Sequence, residues 1–131
     1  MKSKKGDKFE VVVHKPGIMV INVNDGEELG KEEAYKIHEV ILELAGEGNR
    51  YAVVLNALNE FETTPEARAL IASKEFSKRR IASAFVIKSL ANKIIANFYL
   101  KFNRPHSPSK IFSTMDDAIK WLGEQIDKAN L

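Results

Sequence analysis

Tyr51-Ala52-Val53-Val54-Leu55 is apolar along its whole length. A strand with one face in water alternates apolar and polar residues, whereas a strand covered on both faces reads as a continuous apolar run. This stretch therefore belongs in the middle of a sheet that carries helices on both sides. Ile81 to Ile87, Ile-Ala-Ser-Ala-Phe-Val-Ile, has the same character. Between them, Thr63-Thr64-Pro65-Glu66 opens a helix that runs to about Lys78. Strand, helix and strand in that order imply a right-handed crossover and parallel pairing.

Upstream, an amphipathic helix spans about Lys31 to Ala45, with Ala34, Ile37, Ile41, Leu44 and Ala45 on one face, and Gly46 and Gly48 end it. Phe9 to Val13 and Ile18 to Val23 are β-rich, and His14-Lys15-Pro16-Gly17 between them has the composition of a hairpin turn. Downstream, a third helix runs from about Leu90 to Phe102 and is closed by Arg104-Pro105. Lys110-Ile111-Phe112 is a short strand. Thr114 then caps a last helix, Met115 to Lys128, whose first-turn Asp116 and Asp117 complement its dipole. The order is ββαβαβαβα, an α/β domain with a five-stranded, mostly parallel sheet, an N-terminal antiparallel edge strand and four main helices. Residues 8–131 are expected to form this one domain, and residues 1–7 a disordered basic lead-in.

The 131 residues include no cysteine, which excludes disulfides and thiolate chemistry and suits a reducing cytoplasm. The basic start, Met1 to Gly6, is not followed by a signal-type apolar run. The most apolar stretch, Ala82 to Phe102, is interrupted by Lys88, Lys93 and Lys101, which argues against a bilayer span of about 20 apolar residues.

Several segments carry a resemblance. Pro65-Glu66-Ala67-Arg68 opens the second helix, Ala82 to Ile87 forms the fourth strand, and Asn97 to Pro105 ends the third helix. Lys110-Ile111-Phe112 is followed by Asp117-Ala118-Ile119-Lys120-Trp121-Leu122. With the element order, these resemble the SpoIIAA-like or STAS domains, in particular uncharacterised bacterial STAS-like proteins, over nearly all of the chain after residue 8. The resemblance implies a SpoIIAA-like fold. It also implies a phosphorylatable serine in an Asp-Ser-Ser-Gly-type loop after the third strand, and there the chain departs. Its loop reads Asn56-Ala57-Leu58-Asn59-Glu60-Phe61-Glu62-Thr63-Thr64. Thr63 and Thr64, the nearest hydroxyls, are candidate phosphosites disfavoured by Glu60, Glu62 and Glu66, since phosphate would meet like charge. Helix capping explains these threonines better, and Thr63-x-x-Glu66 has capping-box spacing.

No catalytic or cofactor motif stands out, so neither catalysis nor a cofactor is expected. His14, His38 and His106 lack metal-ligand spacing, and no metal site is expected. Trp121 reads as packing. The unusual feature is charge segregation. Asn24 to Ala67 holds 11 acidic and 3 basic residues, whereas Lys74 to Lys110 holds 9 basic residues and one acidic, Glu75. Asymmetry of this kind points to an anionic partner or to head-to-tail association of copies, with a homodimer as one form of self-association.

The leading expectation is a non-enzymatic regulatory or protein-interaction module. Its anionic-partner surface would be formed by Lys78, Arg79, Arg80, Lys88, Lys93, Lys101 and Arg104. Nucleic acid is the poorer partner, because the acidic half would repel a long phosphate backbone. The alternative is a carrier or sensor of a small anionic or apolar ligand, including lipid. Ile94, Ile95, Phe98, Tyr99 and Phe102 would line its site on the third helix, edged by cations and able to touch a membrane surface. Such a stripe more often packs into the core.

Overall fold

In the computed structural model, which describes residues 2–130, the two apolar runs are neighbouring parallel strands. In chain order the elements are β1 (Ser3–Lys5), β2 (Phe9–Lys15), β3 (Ile18–Val23), β4 (Glu28–Leu29), α1 (Lys31–Ala45), β5 (Tyr51–Ala57) and β6 (Glu62–Thr63). They continue with α2 (Pro65–Ala72), α3 (Lys74–Ser77), β7 (Arg80–Ile87), α4 (Leu90–Phe98), a π turn (Tyr99–Asn103), β8 (Ser109–Phe112) and α5 (Met115–Ala129). The main sheet runs β1-β2-β3-β5-β7-β8. β1, β2 and β3 pair antiparallel, and β3, β5, β7 and β8 pair parallel. β4 and β6 form a separate two-residue parallel pair.

The faces of the central strands divide as their alternation requires. Ile21 and Val53 pack with Ile37, Val40 and Ile41 of α1. On the other face Ile18, Ala52, Val54, Ala82, Ala84 and Val86 pack against Ala118 and Leu122 of α5. Alanines at 52, 82 and 84 let α5 lie close to the sheet, and Trp121 packs at the margin, 5.5 Å from the Phe112 ring.

The α/β class and the mostly parallel sheet agree with the sequence reading, and three details differ. First, residues 3–5 of the expected disordered lead-in form a sixth strand, so β2 is not the edge. Ser3 pairs with Val12 and Lys5 with Glu10, and Lys4 Nζ lies 2.6 Å from Glu43 Oε2. A lysine-rich segment reads as solvated coil, yet lysines are also what protects a sheet edge from further pairing. Second, the second helix is two helices. Ser73 is extended (φ −63, ψ 157), accepts from Phe76 N–H and donates to Leu70 O, so it ends α2 and caps α3. Third, the third helix widens into the π turn and stops at Arg104, which takes a left-handed conformation (φ 49) before Pro105. Met1 and Leu131, the outer ends of the expected segments, lie outside the described residues.

Candidate functional site

α4 begins where Ser89 accepts a hydrogen bond from Asn92 N–H at 3.0 Å. Ala96 and Tyr99 are buried, and the Tyr99 ring meets Phe85 of β7 edge-on at 5.7 Å. The opposite side of the helix is apolar too, but faces solvent. Leu90 is 73% exposed, Ile94 61%, Phe98 51% and Phe102 62%. The Phe98 and Phe102 rings stack on each other at 4.3 Å across the π turn, and Lys101 Nζ lies 5.7 Å from the Phe102 ring centre. Lys88, Lys101 and Arg104 are exposed beside this face and Lys93 is half-buried. No acidic residue occurs from Phe76 to Met115.

The five residues expected to line one ligand site therefore separate. Ile95 and Tyr99 border a cavity beneath α4, while Ile94, Phe98 and Phe102 point away from it. Apolar periodicity marks a helix face but does not say which side the rest of the chain covers, and α4 is apolar on more than one side.

The expected cationic surface separates as well. Lys78 is exposed. Arg79 instead closes the C-terminal end of α1, where its guanidinium donates to Gly46 O and, at 2.8 Å, to Asn49 O. Gly46 is the C-cap of α1, so the cation stands at the negative pole of the helix dipole. Arg80 is only 7% exposed. Its Nε donates to Ser107 Oγ at 2.9 Å, and Nη2 donates to Ile71 O and Ser77 Oγ, both at 2.8 Å. Neither arginine belongs to an open anionic-partner surface: backbone carbonyls take up Arg79, and Arg80 is buried with its Nε and Nη2 engaged.

Arg80 borders the cavity, which measures about 140 Å³ and lies between the sheet and helices α1, α2 and α4. Ile37, Val53, Phe85 and Ile95 supply apolar walls, and His38, Tyr51, Arg68 and Tyr99 add polar atoms. Burial lowers the pKa of Arg80 from the usual arginine value, with the Tyr99 and Tyr51 hydroxyls acting against that shift. Burial pushes the Tyr99 phenol up to about 12, and the Arg80 charge pulls it down. Burial, followed by the charge of Arg80, lowers the His38 imidazole.

Thr64 caps α2, accepting from Ala67 N–H at 3.1 Å. The cap thus falls one residue after the start of the expected Thr63-x-x-Glu66 box. Thr63 is engaged by Arg68, whose Nη1 donates to its hydroxyl at 2.8 Å. His38 stacks on Phe76 at 4.0 Å, and His14 and His106 are exposed. Among the described residues no group of three or more His, Cys, Asp or Glu side chains could hold a metal ion, and no helix is long and apolar enough to cross a membrane.

The family model described as "Domain of unknown function (DUF7793)" matches residues 12–126. No curated protein matches the chain. Among solved structures, the chain is similar to an uncharacterised protein of the DUF3478 family with a SpoIIAA-like fold from Shewanella loihica. The TM-score is 0.63 and the identity 15%, over 93% of this chain and 99% of that one. That likeness shows a SpoIIAA-like fold here.

Proposed function

We propose that this chain, which belongs to the family of the domain of unknown function DUF7793, is a STAS-type module without catalysis of its own that docks through α4 on an anionic membrane surface. The observation that carries the reading is the outward face of α4, where Leu90, Ile94, Phe98 and Phe102 stand exposed beside Lys88, Lys93, Lys101 and Arg104. Single exposed apolar residues are ordinary on a protein surface, but a contiguous row on one helix marks a contact site. An amphipathic helix with an apolar face and cationic flanks settles into the boundary between headgroups and acyl chains. Each cation near an anionic leaflet contributes about 1 kcal/mol, screened within a Debye length of about 8 Å at physiological salt.

Charge selects the partner. A second copy docked symmetrically through the same face would set these cations against their own equivalents. A long nucleic-acid backbone would also meet the acidic segment 24–67. A membrane offers both an apolar layer for the phenylalanines and anions for the lysines.

The test is co-sedimentation with phosphatidylcholine vesicles, with and without phosphatidylglycerol. Binding is expected to the anionic vesicles alone and to weaken with added salt. Phe98→Ser with Phe102→Ser should abolish it, and Lys101→Glu with Arg104→Glu should weaken it, all without loss of fold because these side chains are exposed. Equal binding to both vesicles, or to neither, overturns the reading.

A further inference from the structure

We infer that the cavity beneath α4 is a binding site for a small carboxylate with an apolar body, whose anionic end is received by Arg80. The inference stands apart from membrane docking, because it uses the inner side of α4 and a different set of atoms.

Arg80 is 7% exposed, and its guanidinium donates to neutral groups, the hydroxyls of Ser107 and Ser77 and the Ile71 carbonyl, beside the Tyr99 phenol. No acidic residue borders the cavity, and among the described residues the one ion pair is Lys4–Glu43, elsewhere on the molecule. A buried charge is normally met by an opposite charge, because burial strips it of water. Among the described residues no such countercharge borders the cavity, and Arg80 lies against an apolar space. Arg68 adds a second cation to the wall, although its Nη1 is already committed to Thr63.

The cavity sets the size and polarity of the occupant. Its volume of about 140 Å³ is close to that of a cavity of about 150 Å³ known to admit benzene. Ile37, Val53, Phe85 and Ile95 would surround a single ring or a short branched chain. With Nε and Nη2 engaged, Nη1 remains to donate a charge-assisted hydrogen bond to a carboxylate oxygen. A carboxylate also brings one charge and an apolar remainder suited to these walls, whereas inorganic phosphate brings charge and hydration with nothing to bury.

A one-residue slip in the register of β5 and β7 turns Arg80 inward. Tyr51 pairs with Arg80, but Ala52 pairs with Ala82, leaving Ile81 as an extra residue in β7. Without it, Arg80 would share a face with Ala82 and Ala84, against α5. Bulges commonly re-aim a side chain next to a functional site.

The test titrates the isotopically labelled chain, without vesicles, with benzoate, benzyl alcohol and inorganic phosphate, following backbone amide shifts. Benzoate is expected to give saturable shifts at Val53, Ser83, Phe85 and Ala96. Benzyl alcohol should bind roughly tenfold more weakly, the loss of one charged hydrogen bond, and phosphate should leave these amides unmoved. Ala96→Leu, which fills the cavity, should remove benzoate binding, and Arg80→Met should remove the preference for benzoate over the alcohol. Equal affinity for benzoate and benzyl alcohol, no saturable shift at those amides with millimolar benzoate, or tighter binding of phosphate there overturns the assignment. If Arg80→Met fails to fold, the comparison of probes on the unaltered chain still decides it. Loss of vesicle binding with this result intact would reject docking alone, and the converse would reject the cavity alone.

Discussion

Tyr51 and Arg80 are direct neighbours across β5 and β7, at the point where the register of the two strands slips by one residue. The slip places the arginine over the same face of the sheet as Ser83 and Phe85. Tyr51 is itself fully buried, with its hydroxyl 3.5 Å from Phe76 O. The pair joins the end of the sheet to α3 and to the segment after the π turn, since Arg80 also reaches Ser77 and Ser107.

Arg80→Lys should therefore destabilise the fold although it preserves the charge. One ammonium cannot reproduce a fork that serves Ser107, Ile71 and Ser77 together. A loss on the order of 2 kcal/mol is expected from the buried groups left unpaired. Urea denaturation monitored by circular dichroism measures it, and an unchanged midpoint would remove Arg80 from any structural role.

The two threonines should respond unequally. Thr64→Ala removes the N-cap of α2 and should cost about 1 kcal/mol. Thr63→Ala leaves that cap in place and removes the acceptor for Arg68, so its cost should be smaller. Denaturation of the two single variants distinguishes them, and a reversed order would reject the cap assignment.

His38 predicts a pH dependence. Burial and the nearby Arg80 charge lower its folded pKa, so the unfolded chain takes up the proton first. The contribution to stability is fully present above the ordinary histidine value of about 6.5. It declines as pH falls through that value, and levels off below the folded pKa. Denaturation midpoints across this range should show a step that His38→Gln removes. A step of the same size in that variant would assign the dependence to other groups.

The edge strand β1 should protect β2. Val13 N–H donates to Lys2 O at 2.9 Å, and β1 covers β2 from Glu10 to Val12. A chain beginning at Gly6 should exchange the Val13 amide faster and associate with rising concentration, because it exposes an apolar strand edge. Hydrogen exchange and sedimentation velocity report the two effects. Unchanged exchange at Val13 would mean that β1 does not shield the edge.

Local chemistry along the chain was enough to determine the class of this fold. Tyr51 to Leu55 and Ile81 to Ile87 are apolar on both faces, so helices had to cover both sides of the sheet. The helices between strands then required parallel pairing. Thr114 capping α5 and the turn at Pro16-Gly17 were readable in the same way, because caps and turns depend on residues within a few positions of each other. What α4 faces was decided only in three dimensions. Its apolar residues look alike in sequence, yet Tyr99 packs on Phe85 while Phe98 and Phe102 face solvent. The roles of Arg79 and Arg80 were equally hidden. One depends on the end of α1, some 30 residues away, and the other on an extra residue that changes the face of a strand. Period and charge are properties of a segment, but burial and countercharge are properties of its neighbours. Distant parts of the chain supply those neighbours only once it has folded.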